Sequence, residues 1–315
     1  MTDCLLEIDG LTLHRGHKKI LDDVKLTLKR GETLALVGES GAGKSTIAMA
    51  LMGLLDRRAV AIDGSARFND EVDLFNLPEK EWTRLRGSRL SMVFQDAGTA
   101  LNPCYTVGSQ LMSVLRRKLG LGAKEARERA VELMKDVGIN DAVARLSAYP
   151  HQLSGGMQQR IMVAIALGCK PDLLFADEPT SALDVTIQAQ IVQLILDQTR
   201  ASGASCIFVL HDLALASQAC DRIVVLYAGQ VMEAGDCATV LRNPLHPYTR
   251  LLKSCVLEIG VEEMTPPEGN VPAYDAMPKG CRFATRCPRA LDCCATEKPA
   301  LIETEGRAIA CWNPE

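Results

Sequence analysis

The sequence predicts an α/β protein whose core is a mostly parallel sheet, and three observations favour this fold class. Five short apolar runs have the length and composition of buried strands, at 34–37, 90–94, 173–176, 206–210 and 223–227. Segments with helical spacing of their apolar residues separate these runs. A glycine-rich turn joins the first run to a helix, as in many proteins with parallel sheets.

The longest helical part of the chain lies between the second and third runs. Within it, 124–137 places apolar residues on one helical face and is followed by Gly138, a typical helix stop. We predict a main domain at 1–255 with a helical subdomain at about 98–168. A linker and a small cysteine-rich C-terminal domain follow at 256–315. The apolar positions of the helix are Ala126, Ala130, Leu133, Met134 and Val137.

The net charge and the lengths of the apolar runs limit the kinds of partner that the chain can bind. Of the 315 residues, 47% are hydrophobic, and the net charge is -4 with a sequence pI of about 5.8. Proteins that bind nucleic acid need a basic surface, so we expect no nucleic-acid partner. No apolar run approaches the roughly 18–20 residues that cross a bilayer, and the first ten residues do not resemble a signal peptide. We therefore expect a cytosolic chain unless a partner holds it at a membrane.

The glycine-rich turn after the first predicted strand has the sequence and context of a phosphate-binding P-loop. Backbone N–H groups of such a loop surround phosphate oxygens, and the helix N-terminus adds positive potential. Lys44 is expected to reach the β- and γ-phosphates, and the Ser45 hydroxyl is expected to ligate Mg²⁺. The alternative is a glycine-rich turn before an ordinary helix. The predicted nucleotide-binding residues are Gly38, Glu39, Ser40, Gly41, Ala42, Gly43, Lys44, Ser45 and Thr46.

Two carboxylates, Asp177 and Glu178, follow the apolar run at 173–176. The sheet is expected to place them where the P-loop presents its nucleotide. Asp177 is expected to hold Mg²⁺, directly or through a water, and Glu178 to polarise the water that attacks the γ-phosphate. A solvated acidic turn is the alternative. His211 follows the next apolar run, and it is either structural or a contact to the γ-phosphate or the attacking water.

A second glycine-rich helix start lies upstream of these carboxylates, with Ser154 as its expected N-cap. It creates a second anion site, although one nucleotide does not need two such sites in one domain. This segment resembles the signature motif of ABC transporter ATPases, and the resemblance extends over residues 1 to about 255. Gln95 matches the Q-loop of that family, 181–184 its D-loop and His211 its switch histidine. The signature residues are Ser154, Gly155, Gly156 and Gln158.

The resemblance implies a specific architecture and mechanism. The P-loop core carries an N-terminal antiparallel β subdomain, and two ATPase domains pair head to tail. The P-loop of each domain then faces the signature of the other across an ATP. Gln95 joins Mg²⁺ and the attacking water to the surface that contacts the membrane subunit. Catalysis is thus expected from Glu178, His211 and Gln95, with Mg²⁺ held by Ser45, Gln95 and Asp177.

The base contact departs from the family pattern. ABC ATPases usually stack adenine on an aromatic residue of the first strands, but His14 and Arg15 occupy that region here. Either planar side chain can stack on a base. Arg15 is the predicted base contact.

The C-terminal part carries five of the twelve cysteines, Cys293 among them. In a chain without a secretion signal, clustered cysteines point to metal or redox chemistry rather than to disulfides. The segments 243–249 and 101–103 and this tail resemble ATPases of the oligopeptide, dipeptide and nickel importers. Tails of that group carry cysteines with this spacing, and the resemblance implies a [4Fe-4S] cluster. The implied ligands are Cys281, Cys287, Cys294 and Cys311.

Three alternatives for the tail remain open from the residues alone. Four thiolates also suit Zn²⁺, although spacings of five, six and sixteen intervening residues differ from common zinc motifs. Reduced cysteines that only pack a small subdomain are the second alternative. The third is that Cys293 replaces its neighbour Cys294 as a ligand or remains a free thiol.

The resemblance implies an ATP-hydrolysing subunit that powers solute import, with di- or oligopeptides as the expected cargo. The alternatives are a nickel or other small-solute importer, and a soluble ABC ATPase with a redox-sensing metal tail. The implied partners are a second ATPase subunit in a heterodimer, two membrane permeases and an extracytoplasmic solute-binding protein. The implied location is the cytoplasmic face of the bacterial inner membrane, where the chain is peripheral.

Overall fold

All five predicted strands are present, with ends within one residue of those predicted. The structure is a computed structural model that describes residues 3–180, 185–255, 269–304 and 306–314. Its strands are β1 Cys4–Arg15, β2 Lys18–Lys29, β3 Thr33–Val37, β4 Ala61–Phe68, β5 Val72–Asp73, β6 Leu90–Val93, β7 Leu173–Asp177, β8 Ser205–Leu210, β9 Arg222–Tyr227, β10 Gln230–Asp236, β11 Ile302–Thr304 and β12 Arg307–Ile309.

The helices alternate with these strands through much of the chain. They are α1 Lys44–Leu51, α2 Glu79–Leu85, α3 Ala97–Ala100, α4 Val107–Leu119, α5 Ala123–Asp136, α6 Ala142–Arg145, α7 Gly155–Leu167, α8 Val185–Ser202, α9 Leu213–Ala219, α10 Cys237–Arg242 and α11 Pro247–Ser254. Among the helices that the structure describes, none is both long and apolar enough to cross a membrane.

The chain divides into two compact units. The first contains Met1–Leu77 and Phe208–Glu315, and the second contains Pro78–Ile207. Strand β8 includes the boundary between them. The predicted linker is the proline- and glycine-bearing stretch at 265–280, and its first part lies outside the described residues, which end at 255 and resume at 269.

The first unit begins with an antiparallel sheet in the order β2-β1-β4-β5. Along β1, Leu11 and Leu13 are buried, because alternate residues of a strand point to one face. Leu6 pairs with Leu28 of β2 and with Phe68 of β4, so apolar side chains from three strands meet. This is the antiparallel N-terminal sheet that the sequence predicted.

A second set of strands in the first unit has the order β11-β12-β10-β9-β3. Strands β3 and β9 are parallel, and both are almost wholly apolar and buried, as expected for a strand covered on both faces. The remaining pairs are antiparallel. Because β12 pairs with β10, the cysteine-rich tail continues the sheet that contains the P-loop strand.

The second unit contains the parallel pair β6 and β7 together with the helical part of the chain. Helices α4, α5 and α7 pack on one another. The predicted apolar face of α5 is confirmed, because Ala126, Ala130, Leu133 and Met134 are its buried residues. Gly138 follows this helix with a positive φ of 74°, the left-handed conformation that ends many helices.

Candidate functional site

The P-loop of the first unit connects the buried strand β3 to helix α1. Gly38 and Gly43 are required by close approaches of other atoms. A Cβ at Gly38 would lie 2.1 Å from the Leu226 carbonyl oxygen. A Cβ at Gly43, whose φ is +100°, would lie 2.6 Å from a methyl group of Leu21. The loop therefore follows a path that only glycine permits at these two positions.

Lys44 is the first residue of α1, and its side chain is buried under the loop. Its Nζ donates hydrogen bonds to the carbonyl oxygens of Gly38 at 2.8 Å and Glu39 at 3.1 Å. Ser45 and Thr46 occupy the same helical turn and are half-buried, whereas Ser40 and Gly41 are exposed. A buried ammonium group beside the first N–H groups of a helix makes this loop an anion-binding site.

Three residues from later in the chain hold the P-loop, and the sequence analysis singled out none of them. The Tyr248 hydroxyl accepts a hydrogen bond from the Glu39 N–H at 2.9 Å. The Tyr274 hydroxyl donates to the Gly41 carbonyl at 3.0 Å. Arg286 forms two hydrogen bonds to the Glu39 carboxylate, at 2.8 and 3.0 Å. No local pattern signals these contacts.

The predicted base contacts, His14 and Arg15, lie at the end of β1. His14 is partly buried and Arg15 is exposed. The adjacent turn is tied to the C-terminal part, because His17 and Lys18 contact Asp275 at 3.1 and 3.3 Å. The role of Arg15 in base binding remains a prediction.

In the second unit, strand β7 is buried along its whole length and ends at Asp177. Glu178 follows with a positive φ of 43°, an uncommon conformation for a glutamate that is often associated with functional sites. Because β6 and β7 are parallel, Gln95 emerges at the same end as these carboxylates. Its Nε2 donates a hydrogen bond to Glu178 Oε2 at 2.8 Å. Two of the predicted catalytic residues are therefore in contact.

The second glycine-rich helix start has the predicted N-cap. The Ser154 hydroxyl accepts from the Met157 N–H at 3.4 Å, and Ser154 and Gly155 are exposed, whereas Gly156 is only partly buried. Gln158 Nε2 donates to the carbonyl oxygens of Pro150 and of Leu153. It therefore fixes the segment that leads into α7.

The structure describes the predicted switch histidine, His211, but not the predicted D-loop. His211 follows β8 in the first unit and is exposed, next to Asp212, which caps α9 by accepting hydrogen bonds from two backbone N–H groups. The predicted D-loop at 181–184 lies outside the described residues.

The four predicted ligand cysteines line one small cavity in the first unit. The Cys281 N–H donates to the Cys294 carbonyl at 2.8 Å, which joins two of them through the backbone. Burial, followed by the negative charge of the other three cysteines, raises the pKa of Cys281 to about 12. Across the described parts of the chain, no group of three or more histidine, cysteine or acidic side chains forms a ready-made metal site. The cysteines of the cavity are Cys281, Cys287, Cys294 and Cys311.

The P-loop, the carboxylates after a buried parallel strand and the second glycine-rich helix start together define an ATP-binding protein of the ABC class. The model of the ABC transporter family matches residues 21–181, and the model of the oligopeptide/dipeptide transporter C-terminal region matches residues 232–294. This chain belongs to the family of ABC transporter ATP-binding subunits, in the branch that contains peptide-transport ATP-binding proteins. The second match includes three of the four cavity cysteines.

Curated relatives match nearly the whole chain. The dipeptide transport ATP-binding protein DppD of Escherichia coli is 43% identical over 98% of this chain and 97% of its own length. The oligopeptide transport ATP-binding protein AppD of Bacillus subtilis is 44% identical over 98% of this chain and 96% of its own. The corresponding protein OppD of Salmonella typhimurium is also 44% identical, over 98% of this chain and 94% of its own.

Solved structures support the same fold. The ATP-binding cassette MJ0796, in a dimeric post-hydrolysis state with ADP and Pi, matches with a TM-score of 0.66 and 28% identity. The match covers 74% of this chain and 99% of MJ0796. The predicted P-loop core, N-terminal antiparallel sheet and helical part are therefore confirmed.

Proposed function

We propose that this chain binds and hydrolyses ATP to power the import of di- or oligopeptides through an ABC transporter. The observation that carries the ATPase function is the contact between Gln95 and Glu178 at the end of a buried parallel strand, in a chain with an intact P-loop. Peptides are proposed as the cargo because the names of the relatives specify dipeptide or oligopeptide transport.

Each predicted site residue has a separate proposed role in ATP binding or hydrolysis. Lys44 and the P-loop N–H groups bind the phosphates. Ser45, Gln95 and Asp177 offer oxygen ligands that would hold Mg²⁺, and the bound ion would supply positive charge to the γ-phosphate. Glu178 polarises the attacking water, and the Gln95 amide orients the Glu178 carboxylate through their hydrogen bond. His211 assists the same step, and Arg15 contacts the base.

The signature segment serves a second ATPase subunit. Ser154 and Gly155 expose the start of α7, so the segment can bind the γ-phosphate of an ATP held by that partner. Gly156 and Gln158 complete the segment. We propose a heterodimer with a similar ATPase, two membrane permeases above it and an extracytoplasmic binding protein. The chain then works at the cytoplasmic face of the inner membrane.

Replacing Glu178 with Gln tests the ATPase assignment. We expect the full-length chain to lose ATP hydrolysis by at least about 100-fold while it retains binding of a fluorescent ATP analogue. Glu132→Gln is the control, because Glu132 is an exposed residue of α5 whose carboxylate pairs with Arg129 of the same helix. Equal hydrolysis by Glu178→Gln and wild type would contradict the role of this carboxylate.

Uptake by cells tests the cargo. A strain that carries Glu178→Gln as its only copy should lose uptake of labelled di- or oligopeptides and keep nickel uptake. Loss of nickel uptake alone would replace peptides with nickel as the cargo. The ATPase assignment would remain intact, because it is measured separately on the purified chain.

We further propose that the four cavity cysteines hold a [4Fe-4S] cluster that fixes the fold of a tail module within residues 256–315. Four thiols on one cavity are the donor set that iron-sulfur clusters use. His246, which lines the same cavity, is buried, and among the described residues only the Ala310 backbone approaches its ring as a further polar partner, without a hydrogen bond of normal geometry to Nε2. Its Nδ1 accepts from the Tyr248 N–H at 3.0 Å, so the proton of the neutral ring is on Nε2. A cluster held by these cysteines would offer sulfur acceptors to this N–H.

Metal analysis distinguishes the two candidate metals. An anaerobically purified chain should contain about four iron and four acid-labile sulfide. Cys287→Ser should lose them, whereas Cys293→Ser should keep them, since Cys293 does not line the cavity. One zinc per chain would replace the cluster with a structural zinc site. Absence of both metals would overturn the ligand assignment.

A further inference from the structure

Arg286 of the C-terminal tail contacts the P-loop. This residue ends a short 3-10 turn at Ala284–Arg286 and immediately precedes Cys287. Its guanidinium group forms two hydrogen bonds to the two carboxylate oxygens of Glu39, the second residue of the P-loop. A contact between residues 247 positions apart thus joins the tail to the ATP-binding loop.

The Arg286 side chain is held in a single, largely buried position. Only 5% of it is exposed, against 24% for the Glu39 side chain. One nitrogen also contacts the Tyr227 hydroxyl at 3.2 Å, and the guanidinium carbon lies 5.6 Å from the centre of the Tyr227 ring. A bidentate pair with this degree of burial differs from a surface salt bridge, because solvent screens it less and two parallel hydrogen bonds define its geometry.

The carboxylate of Glu39 lies within the P-loop, and Arg286 neutralises its charge. A carboxylate within a loop that binds a polyphosphate repels the ligand unless its charge is neutralised. Arg286 supplies the neutralising charge, because its guanidinium donates to both carboxylate oxygens of Glu39. The same guanidinium fixes the start of the loop, where Lys44 contacts the backbone of Glu39.

Tyr274 adds a second contact from the same part of the chain. Its hydroxyl donates to the Gly41 carbonyl, two residues after Glu39. The following residue, Asp275, pairs with Lys18, the first residue of β2. The tail is therefore fixed to the P-loop at two points and to the neighbouring hairpin.

We propose that Arg286 is a positioning residue of the ATP site, which neutralises Glu39 and holds the P-loop in its phosphate-binding form. ATP affinity then depends on the folded tail, because Arg286 acts on the P-loop. By reciprocity, ATP binding stabilises the tail. The contacts that produce this link are made by the chain itself and do not require a particular metal.

Binding of MANT-ATP to the full-length chain, with Mg²⁺ present, tests the proposal. Arg286→Gln leaves Glu39 unpaired, and we expect the Kd to rise about tenfold. The double variant Arg286→Gln with Glu39→Gln has no unpaired charge, so its Kd should return to within about threefold of wild type. In hydrolysis, Arg286→Gln should raise KM and leave kcat almost unchanged, because Arg286 does not act on the attacking water.

Arg307→Gln is the matched control. Arg307 also lies in the tail and pairs with a buried carboxylate, Glu233, but it does not contact the P-loop. Its loss should lower the melting temperature and leave the Kd for MANT-ATP unchanged. A wild-type Kd for Arg286→Gln would overturn the proposal. An equal rise in the Kd for MANT-ATP in the single and double variants would also overturn the proposal. General damage to the tail, rather than the unpaired charge of Glu39, would then explain the weaker binding.

Discussion

Replacement of Phe283 with alanine tests how firmly the cysteine-rich tail is attached to the rest of its unit. Phe283 is fully buried, and its ring centre lies 5.2 Å from those of Tyr227 and Tyr248 and 6.0 Å from that of His246. Tyr227 and Tyr248 belong to β9 and α11, so this ring joins the tail to two elements that precede it. The variant removes the ring and leaves every cysteine in place.

The burial of Phe283 sets the free energy that its replacement by alanine should cost. Truncation of a fully buried phenylalanine to alanine costs about 3–5 kcal/mol, which includes the cavity that remains. Since about 1.4 kcal/mol corresponds to a factor of ten, the open form of the tail should become about 100- to 4,000-fold more populated. This effect is confined to the tail if the tail opens separately from the P-loop core.

Amide hydrogen exchange measured by mass spectrometry on the full-length chain reports this opening. Peptides that cover 280–296 should exchange faster in proportion to the larger population of the open form. The Cys281 N–H lies in this segment and is protected by its hydrogen bond to the Cys294 carbonyl. Leu291→Ala is the control, since Leu291 lies in the same tail and is 45% exposed. An acceleration below about threefold in Phe283→Ala would refute the packing argument.

Three further predictions concern other parts of the chain. Gly43→Ala should weaken MANT-ATP binding by more than about tenfold, because its φ of +100° is unfavourable for alanine. Gly108→Ala places a Cβ 2.5 Å from the Leu146 carbonyl, so urea unfolding should show a loss of about 1–3 kcal/mol. Burial raises the pKa of Asp22, but a Gln230 hydrogen bond and two lysines outweigh it and lower the pKa below 3.8. Its stabilising effect is therefore present above that pH and lost in acid, so the melting-temperature difference between wild type and Asp22→Asn should shrink between pH 6 and pH 3.

The prediction of the metal tail depended on both sequence and structure. The sequence could not distinguish Cys293 from Cys294 as a ligand, because adjacent residues have almost the same spacing to the other cysteines. In the structure Cys294 lines the cavity and Cys293 does not. The direction of a side chain depends on the local turn at Asp292–Ala295, and spacing alone does not reveal it.

The sequence by itself determined the strands, the P-loop and the signature segment. Each is a local sequence pattern, since an apolar run, a glycine-rich turn and a serine before a helix are recognised from residues within a few positions. Only the tertiary structure revealed that Gln95 contacts Glu178 and that Arg286 contacts Glu39. These partners lie 83 and 247 positions apart in the chain. Their contact depends on how strands and turns pack, which no local periodicity encodes.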